Sequence, residues 1–446
     1  MGDQHTSSPW PTLDGLALEA GRRDTIVRLD DFYSHLPTHK YIFTPTGEFW
    51  PRQTIDACLP RALEPTGKDV VKASVWLDRH RSVEQTTWSP GDESLIKDRL
   101  VSGGGWVERL GSTVLNLYVP SRAKLGDSEK AGPWIDHVNK LYKTDSGHII
   151  DWLKHKVQCP GVKINHALVL GGSPGIGKDS ILEPVKYAIG AWNFQEVSPQ
   201  QLLGRFNGFL QSVILRVSEA RDLGEVDRFK LYDHMKTICA APPDVLRIDE
   251  KNVREHYVLN VCGVVITTNH RTDGLYLPAD DRRHFVAWSE LNASDFDQAY
   301  WNRLYAWYDD GGKEHVAAYL AESPIITFDP KAPPPKTSAF WDIVDAHQTA
   351  ESSEMADALD ACGRPDAVTL ADIRTMSAPE FRIWLDDRRY RRQIPHRLEE
   401  CGYVQVRNSQ AQDGCWLIED KRQRIYGRRS LSVKERQIAA VKRQAF

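Results

Sequence analysis

The pattern of apolar and polar positions predicts three regions of different architecture. Residues 1–143 contain short apolar runs separated by glycine and proline, which is typical of an α+β region of short strands. The sequence does not indicate a role for this region. Residues 144–329 alternate longer apolar runs with stretches of helical periodicity, which predicts an α/β domain. A stiff proline-rich linker at residues 330–336 leads to a small third domain at residues 337–446.

Two segments before residue 158 have sequence patterns that predict their local structure. Apolar residues recur every three or four positions across residues 133–157, which predicts helices with aromatic residues in the core. Three glycines at residues 103–105 precede Trp106, but no lysine follows them and no helix opens there. We therefore expect a tight turn at this point rather than a phosphate-binding loop.

The most informative stretch of the chain is an apolar run, a glycine-rich loop and an amphipathic segment. The run at residues 167–170 predicts a buried strand, residues 171–177 form the loop, and residues 181–189 predict a helix. This order, with Gly-x-x-x-x-Gly-Lys in the loop, is typical of a phosphate-binding loop, in which backbone N–H groups and the helix N-terminus face the phosphates. We expect this loop to bind ATP through Gly172, Ser173, Pro174, Gly175, Ile176, Gly177, Lys178, Asp179 and Ser180.

The residue after the loop lysine departs from the usual motif. Lys178 is suited to the β- and γ-phosphates, and the next residue is ordinarily Ser or Thr, which holds Mg²⁺. Here that residue is Asp179, and Ser180 comes one place later. We expect Ser180 to help hold Mg²⁺. Because the loop also resembles that of adenylate-kinase-type enzymes, it predicts nucleotide binding but not the reaction.

Two later apolar runs end in further candidate chemistry. The apolar run at residues 213–217 ends in Ser218 and Glu219, about 40 residues after the loop lysine. Glu219 is therefore a candidate general base and metal ligand of a Walker B element, although Ser218 stands where an aspartate is usual. The run at residues 263–268 ends in Asn269, whose amide can hold the attacking water or the γ-phosphate.

An arginine pair and a basic turn complete this region. Arg282 and Arg283 can stabilise the charge that develops during phosphoryl transfer in a neighbouring subunit; a local ion pair with an adjacent aspartate is the alternative. Two alternating runs at residues 245–248 and 256–259 predict a β-hairpin. Its tip would present cations to a DNA backbone, unless it is only a solvated turn. The candidate DNA-binding residues are Lys251, Arg254 and His256.

The third domain is basic and combines helices with a predicted hairpin. Helices are expected at residues 369–374, 379–385 and 391–401, followed by strands at 403–407 and 415–419 around a turn. This order suggests a winged-helix-like domain. Residues 381–446 contain 16 Lys and Arg against 8 Asp and Glu, an excess of +8 that suits duplex DNA or a protein partner. The candidate recognition helix carries Arg391, Arg392, His396 and Arg397, of which the three arginines are the candidate DNA contacts, unless this is only a solvated charged face.

Taken in order, these motifs resemble those of superfamily 3 helicases, in the phage and plasmid primase-helicase group related to the poxvirus-type primase-helicase. The resemblance rests on residues 172–180, 213–219, 251, 266–269 and 281–283. It implies an AAA+-type α/β P-loop ATPase core with a mostly parallel sheet. It also implies a homo-oligomer, a hexameric ring with single-stranded DNA in its channel and 3′-to-5′ unwinding. A separate primase subunit is a further possible partner.

Composition narrows the class of protein further. With 41% hydrophobic residues, 26% charged residues and a net charge of −4, the chain is not a uniformly basic nucleic-acid coat. No apolar run approaches the length of a membrane span, and the N-terminus does not have the pattern of a signal peptide. Seven widely spaced cysteines without a Cys-x-x-Cys motif indicate reduced thiols, as in the cytoplasm of a bacterial host or phage-infected cell.

Together with these motifs, the resemblance implies an ATP-dependent DNA helicase of phage or mobile-element replication. Two alternatives remain at this stage. The first is an ATP-binding replication initiator or loader without unwinding activity. The second is a P-loop small-molecule kinase, for which the sequence marks no acceptor site.

Overall fold

A computed structural model describes residues 27–218, 224–251, 255–271, 274–388, 390–418 and 420–444. The chain folds into two compact units. The first comprises Met1–Val119 and His256–Leu259, and the second comprises Pro120–Glu255 and Asn260–Phe446. Within the described residues, no helix combines the length and the apolar character needed to cross a membrane.

The first unit is an α+β assembly of short strands, as its short apolar runs predict. A four-stranded sheet has the order β3-β2-β1-β6, a three-stranded sheet has the order β7-β9-β8, and β4 pairs with β5. Phe32, Tyr41, Ile55 and Leu77 form the centre of its core. Its elements are β1 (Phe32–His35), β2 (Lys40–Phe43), β3 (Glu48–Trp50), α1 (Arg52–Cys58), β4 (Ala62–Leu63), β5 (Val70–Val71), α2 (Ala73–His80), β6 (Ser82–Val83), β7 (Gln85–Thr87), β8 (Leu95–Ser102) and β9 (Gly105–Asn116).

The glycine run of this unit is a tight turn, which confirms the prediction. Strands β8 and β9 are antiparallel, and their last pair joins Ser102 to Gly105. Gly103 and Gly104 therefore form the two-residue connection between the strands. No helix follows, so this glycine run lacks the geometry that a phosphate-binding loop requires.

The second unit contains the remaining elements. Up to residue 322 these are α3 (Gly132–Tyr142), α4 (Ser146–Gln158), β10 (Ala167–Gly172), α5 (Lys178–Ile189), β11 (Phe194–Val197), α6 (Pro199–Leu202), β12 (Ile214–Ser218), α7 (Gly224–Cys239), β13 (Val245–Ile248), β15 (Gly263–Thr268), β16 (His284–Ser289), α8 (Gln298–Trp307) and α9 (Lys313–Glu322), while β14 (His256–Leu259) belongs to the first unit. The C-terminal elements are α10 (Ser338–Ala361), β17 (Ala367–Thr369), α11 (Leu370–Met376), α12 (Pro379–Asp386), α13 (Ile394–Glu400), β18 (Tyr403–Val406), β19 (Trp416–Ile418), β20 (Lys421–Gln423), β21 (Ile425–Arg428) and α14 (Val433–Gln444).

A five-stranded parallel sheet forms the centre of this unit. Its order is β11-β12-β15-β10-β16, and each neighbouring pair is parallel. Every residue of β10 and β15 is buried, as continuous apolar runs require in the middle of a parallel sheet. The carboxyl ends of parallel strands meet at one edge, so the segments after β10, β12 and β15 converge there.

The helices predicted for residues 133–157 are α3 and α4, and their aromatic residues are in the core. Trp134 and Trp152 are fully buried. The indole of Trp134 donates to the Ile181 carbonyl at 3.0 Å, and that of Trp152 donates to the His166 carbonyl at 3.1 Å. These bonds satisfy the polar atom of each large ring where water is excluded, and they attach both helices to the strand–loop–helix segment.

The C-terminal strands pair differently from the sequence prediction. Strand β18 pairs with β21 and not with β19, while β19 pairs with β20. The reason is that Ile425 and Tyr426 form a further buried strand, which gives β18 a full-length antiparallel partner. Strand β17 pairs with the other edge of β21, so the sheet order is β17-β21-β18.

Candidate functional site

The glycine-rich loop and the asparagine that follows β15 meet at the carboxyl edge of the parallel sheet. Lys178 is buried at the start of α5, and its Nζ donates to the carbonyls of Gly172 at 2.7 Å and Ser173 at 2.9 Å. The same Nζ donates to Oδ1 of Asn269 at 2.7 Å. Because β10 and β15 are adjacent and parallel, two residues 91 positions apart share one site.

The last glycine of the loop is fixed from two sides. Gly177 has a φ of +89°, and a Cβ there would lie 2.5 Å from the Trp301 ring and 2.8 Å from the His137 ring. Nε2 of His137 donates to the Gly177 carbonyl at 3.0 Å, so Nδ1 accepts from the Tyr300 hydroxyl at 2.7 Å. Burial lowers the pKa of His137, which keeps the ring neutral and suited to this pair of bonds.

Ser180 faces helix α8. Its hydroxyl lies 2.7 Å from the Tyr305 hydroxyl, and its carbonyl accepts from the Tyr308 hydroxyl at 2.9 Å. The residue is only 4% exposed. Its role as a Mg²⁺ ligand stays a prediction, and this placement does not support it because the hydroxyl is buried and already bonded.

Asp179 offers an accessible carboxylate directly after the loop lysine. Its side chain is 67% exposed, and its Oδ1 lies 2.6 Å from Nη2 of Arg216 on β12. Arg216 also lies 3.3 Å from a carboxylate oxygen of Glu196 and donates to the Thr267 hydroxyl. Carboxylate oxygens are the ligands that Mg²⁺ prefers in proteins, so the donor chemistry at this edge fits the ion.

The strand expected to end in a catalytic acid is present, but its acid lies outside the described residues. Strand β12 ends at Ser218, which pairs with Thr267 of β15. Glu219 follows immediately and is not described, so its role as general base and metal ligand stays a prediction. Among the residues that are described, no group of three or more His, Cys, Asp or Glu side chains could hold a metal ion.

The arginine pair follows a buried aspartate that fixes its backbone. Oδ1 of Asp281 accepts from the backbone N–H groups of Arg283 at 2.9 Å and His284 at 3.0 Å, and Nδ1 of His284 lies 3.1 Å away. Oδ2 of Asp281 accepts from the Tyr232 hydroxyl of α7 at 3.0 Å. Asp281 therefore pairs with His284 and not with the neighbouring guanidinium groups. Arg282 is exposed, and Arg283 is partly buried.

Asp281 and His284 form a buried ion pair. Burial opposes the charged form of both groups, but their attraction and hydrogen bonds are stronger. As a result the pKa of Asp281 is lowered to about 2 and the pKa of His284 is raised to about 10. Both groups are therefore charged at neutral pH, and they fix the start of β16 next to the arginine pair.

Replacing Asp281 by Asn should destabilise the second unit by about 3–5 kcal/mol, because it leaves a buried histidine without its partner. Since the pKa of His284 is raised from 6.5 to about 10, the stabilisation is complete below pH 6.5 and declines as the pH rises toward 10. The thermal midpoint should therefore fall more at pH 6 than at pH 9. Asp280→Asn, at an exposed neighbour, is the matched control. Equal losses at both pH values would contradict the ion pair.

The candidate DNA-binding residues of the predicted hairpin are only partly described. Both strands form as predicted, and Lys251 is exposed in the turn that follows β13. Arg254 lies outside the described residues, and His256 is partly buried within β14. Arg247 pairs with Glu255. Lys251 is thus the described cation whose position best suits a phosphate backbone.

The basic residues of the C-terminal region fall into two groups. Arg391 and Arg392 are exposed and precede α13, which begins at Ile394. Arg397 is 5% exposed, and its guanidinium lies 3.1 Å from Glu400 and 3.6 Å from Glu351. Arg397 therefore forms internal ion pairs, and this burial does not support its predicted contact with DNA.

The contacts of four residues of the site were not predicted from the sequence, although Arg216 and Asp281 lie in segments that carry the resemblance. His137, Arg216, Asp281 and Tyr305 contact the loop, its helix or the arginine segment. Asp281 immediately precedes the arginine pair, so its position was a usable signal. The other three lie within helices or strands whose spacing predicts only core positions, and nothing in their local pattern indicates the contact.

Part of this chain matches a family of proteins, and most of it shares its fold with a solved structure. A family of unknown function, DUF5906, matches residues 170–283, which run from the end of β10 to the arginine pair. A search of curated proteins found no match. The apo structure of the NrS-1 C terminal region, residues 305–718, matches with a TM-score of 0.55 and 16% identity. That match covers 89% of this chain and 95% of the NrS-1 chain.

Two further solved structures were compared. The A form of the same NrS-1 region has a TM-score of 0.54 and 16% identity, covering 89% of this chain and 96% of that chain. A structure of JCV helicase has a TM-score of 0.30 and 9% identity, covering 58% of this chain and 67% of that chain. A TM-score of 0.30 does not indicate a shared fold. At these identities, the NrS-1 similarity shows a shared fold.

Proposed function

We propose that this protein is an ATP-dependent DNA helicase of the superfamily 3 type, in which ATP hydrolysis drives movement along single-stranded DNA. The observation that carries the proposal is the contact of 2.7 Å between Lys178 and Asn269 at the carboxyl edge of a parallel sheet. A phosphate-binding lysine and a polar residue from the neighbouring strand are what a γ-phosphate site requires. The shared fold with the NrS-1 C terminal region supports this assignment.

Each residue of the proposed site has a distinct role. Lys178 binds the β- and γ-phosphates, and the backbone N–H groups of residues 172–178, except that of Pro174, which has none, surround them. Glu219 activates the attacking water, and Asn269 orients that water or the γ-phosphate. Mg²⁺, when bound with ATP, would neutralise phosphate charge, with Glu219 as one candidate ligand. His137 holds the Gly177 carbonyl and so fixes the loop in shape.

The ring proposed for this helicase completes each site with an arginine from the neighbouring subunit. Arg282 and Arg283 are the candidates, because Arg282 is exposed and the buried Asp281 carboxylate fixes the backbone of the pair. Mass photometry with a non-hydrolysable ATP analogue tests this role. We expect hexamers, whereas a strictly monomeric particle would leave neither arginine a nucleotide to reach.

Lys251→Ala should spare basal ATP hydrolysis and abolish strand displacement, because the exposed lysine would contact the DNA backbone and not the nucleotide. Both activities can be measured on one preparation with a forked DNA substrate. Lys331→Ala, at another exposed lysine, is the matched control and should displace strands at the wild-type rate. An equal loss of hydrolysis and strand displacement in Lys251→Ala would contradict the proposed contact between this turn and DNA.

We also propose that the C-terminal region is a winged-helix-like domain that binds duplex DNA. In support, β17, α11 to α13, β18 and β21 follow each other in this order, and β21 lies between the other two strands. Arg391 and Arg392 are the exposed cations beside α13. A double replacement of both by Ala should weaken duplex binding in fluorescence anisotropy and leave hydrolysis unchanged. Unchanged duplex affinity would contradict this role.

The basic excess in this C-terminal region favours one second candidate function. An ATP-binding initiator or loader would recognise duplex DNA through the same exposed arginines and would not separate strands. Strand-displacement assays distinguish the two functions directly. An initiator would bind both ATP and duplex DNA but would release no strand from a forked substrate at any ATP concentration.

A further inference from the structure

Two positions of the nucleotide-binding motif carry residue types that differ from the usual ones. In P-loop NTPases, Mg²⁺ is held by a Ser or Thr hydroxyl directly after the loop lysine and by an aspartate at the end of the Walker B strand. Here the first position is Asp179 and the second is Ser218. Each position holds the donor type that the other ordinarily supplies.

We propose that these two positions have exchanged ligand types, so that Asp179 supplies the carboxylate and Ser218 the hydroxyl for the Mg²⁺ of bound ATP. The inference rests on the nucleotide site proposed above and assigns the metal-binding residues within it. In this arrangement the ion still has one carboxylate and one hydroxyl oxygen as protein ligands, while phosphate oxygens and water would complete its coordination.

The contacts of Asp179 place its carboxylate next to strands β12 and β15. Its partner Arg216 lies on β12, two residues before Ser218, so the side chains of Arg216 and Ser218 project from the same face of the strand. Arg216 also donates to the hydroxyl of Thr267, and Thr267 is the residue opposite Ser218 in the parallel register. Asp179 therefore reaches the same face of the β12–β15 pair that carries Ser218.

The neighbouring hydroxyl does not fit the role as well. Ser180 is 4% exposed, and its hydroxyl lies 2.7 Å from the Tyr305 hydroxyl. To bind an ion it would have to give up that bond and leave its buried position. Asp179 is 67% exposed on the first turn of α5, directly after the lysine, so it would exchange only its contact with Arg216 and would not leave a buried position.

Arg216 provides a partner for Asp179 that can be exchanged. Its guanidinium lies 2.6 Å from Asp179 and 3.3 Å from Glu196 on β11, so it contacts two carboxylates. If Asp179 turns to the ion, Arg216 keeps Glu196 and the Thr267 hydroxyl as partners. The exchange therefore leaves no buried guanidinium without a counter-charge, which would otherwise oppose it.

The Mg²⁺ dependence of nucleotide binding tests the proposal without relying on hydrolysis. Affinity for a fluorescent ATP analogue is measured in EDTA and in a Mg²⁺ titration, and Mn²⁺ binding is followed by electron paramagnetic resonance. Asp179→Ser should lower the enhancement by Mg²⁺ ~10-fold or more, a loss typical of an impaired metal site, while affinity in EDTA is maintained. The double variant Asp179→Ser/Ser218→Asp has the usual order of ligands and should recover the enhancement.

Three outcomes are distinguishable. Full Mg²⁺ enhancement in Asp179→Ser, or a double variant no better than Asp179→Ser, would overturn the exchange and leave the nucleotide site intact. A wild-type protein that binds no analogue in either EDTA or Mg²⁺ would instead overturn the proposed function itself. Since Asp179 is exposed, its single variants should fold, and Asp179→Asn provides a second, nearly isosteric test of the same loss.

Discussion

Lys178→Met is expected to reduce ATP hydrolysis by about 10³-fold or more and to weaken ATP binding, because it removes the cation that, in the proposed site, would contact the transferred phosphate. Methionine keeps the length and apolar stem of the side chain, so the buried site should remain packed. In the structure, Nζ of Lys178 is held by two loop carbonyls and by Asn269, which fixes the ammonium group at the carboxyl edge of the sheet.

Steady-state hydrolysis and analogue binding measure this effect. Lys186→Met is the matched control, because Lys186 is exposed on the same helix α5 and is outside the loop. The control should hydrolyse ATP at the wild-type rate. A Lys178→Met enzyme within about threefold of wild type would show that this lysine does not stabilise the transition state.

Asn269→Ala is expected to lower hydrolysis by about 10²–10³-fold while ATP binding changes little, because its amide would act on the water or γ-phosphate in the transition state. Its Oδ1 lies 2.7 Å from Lys178, so the two replacements should not be additive in a double-mutant cycle. Rapid-quench hydrolysis separates the chemical step from binding.

Asn302→Ala, at an exposed asparagine on α8, is the control for this second prediction and should behave as wild type. Two results would count against the role of Asn269. One is a variant that loses ATP binding to the same extent as hydrolysis. The other is an additive double variant with Lys178→Met, since additivity indicates that the two residues act independently.

The centre of the fold was predictable because its strands are continuous apolar runs. Such runs at residues 167–170, 213–217 and 263–268 are found as β10, β12 and β15. A parallel sheet brings the carboxyl ends of neighbouring strands together, so the proximity of Lys178 and Asn269 follows from strand order. For this part of the site, the apolar runs and the order of the strands both predict that Lys178 and Asn269 lie close together.

The contacts around the loop were not predictable from local pattern. His137 lies in a helix whose spacing indicates only core packing, yet it bonds to Gly177, 40 residues away. Tyr305 belongs to an aromatic segment for which spacing indicates a packed helix; it is 42% exposed, and its hydroxyl contacts Ser180. Partners this distant are decided by how helices pack on the sheet, which periodicity does not encode.

In the C-terminal region, strand pairing and the burial of an arginine were likewise not predictable from the local sequence pattern. The strand at residues 403–406 was expected to pair with the next apolar run, but Ile425 and Tyr426 offer a buried partner further along the chain. Arg397 carries a charge that suggests an exposed surface, although the residue is 5% exposed and pairs with Glu351 and Glu400. Strand pairing and the burial of a charge both depend on residues distant in sequence.

In the proposed function, ATP hydrolysis by this chain is coupled to single-stranded DNA. The most direct measurement is the steady-state hydrolysis rate of the wild-type protein with and without single-stranded DNA, with Glu219→Gln as the catalytically impaired reference. We expect DNA to raise the wild-type rate several-fold, accompanied by strand displacement, and to leave Glu219→Gln inactive. A wild-type protein that shows neither DNA-stimulated hydrolysis nor strand displacement would contradict the proposed helicase function.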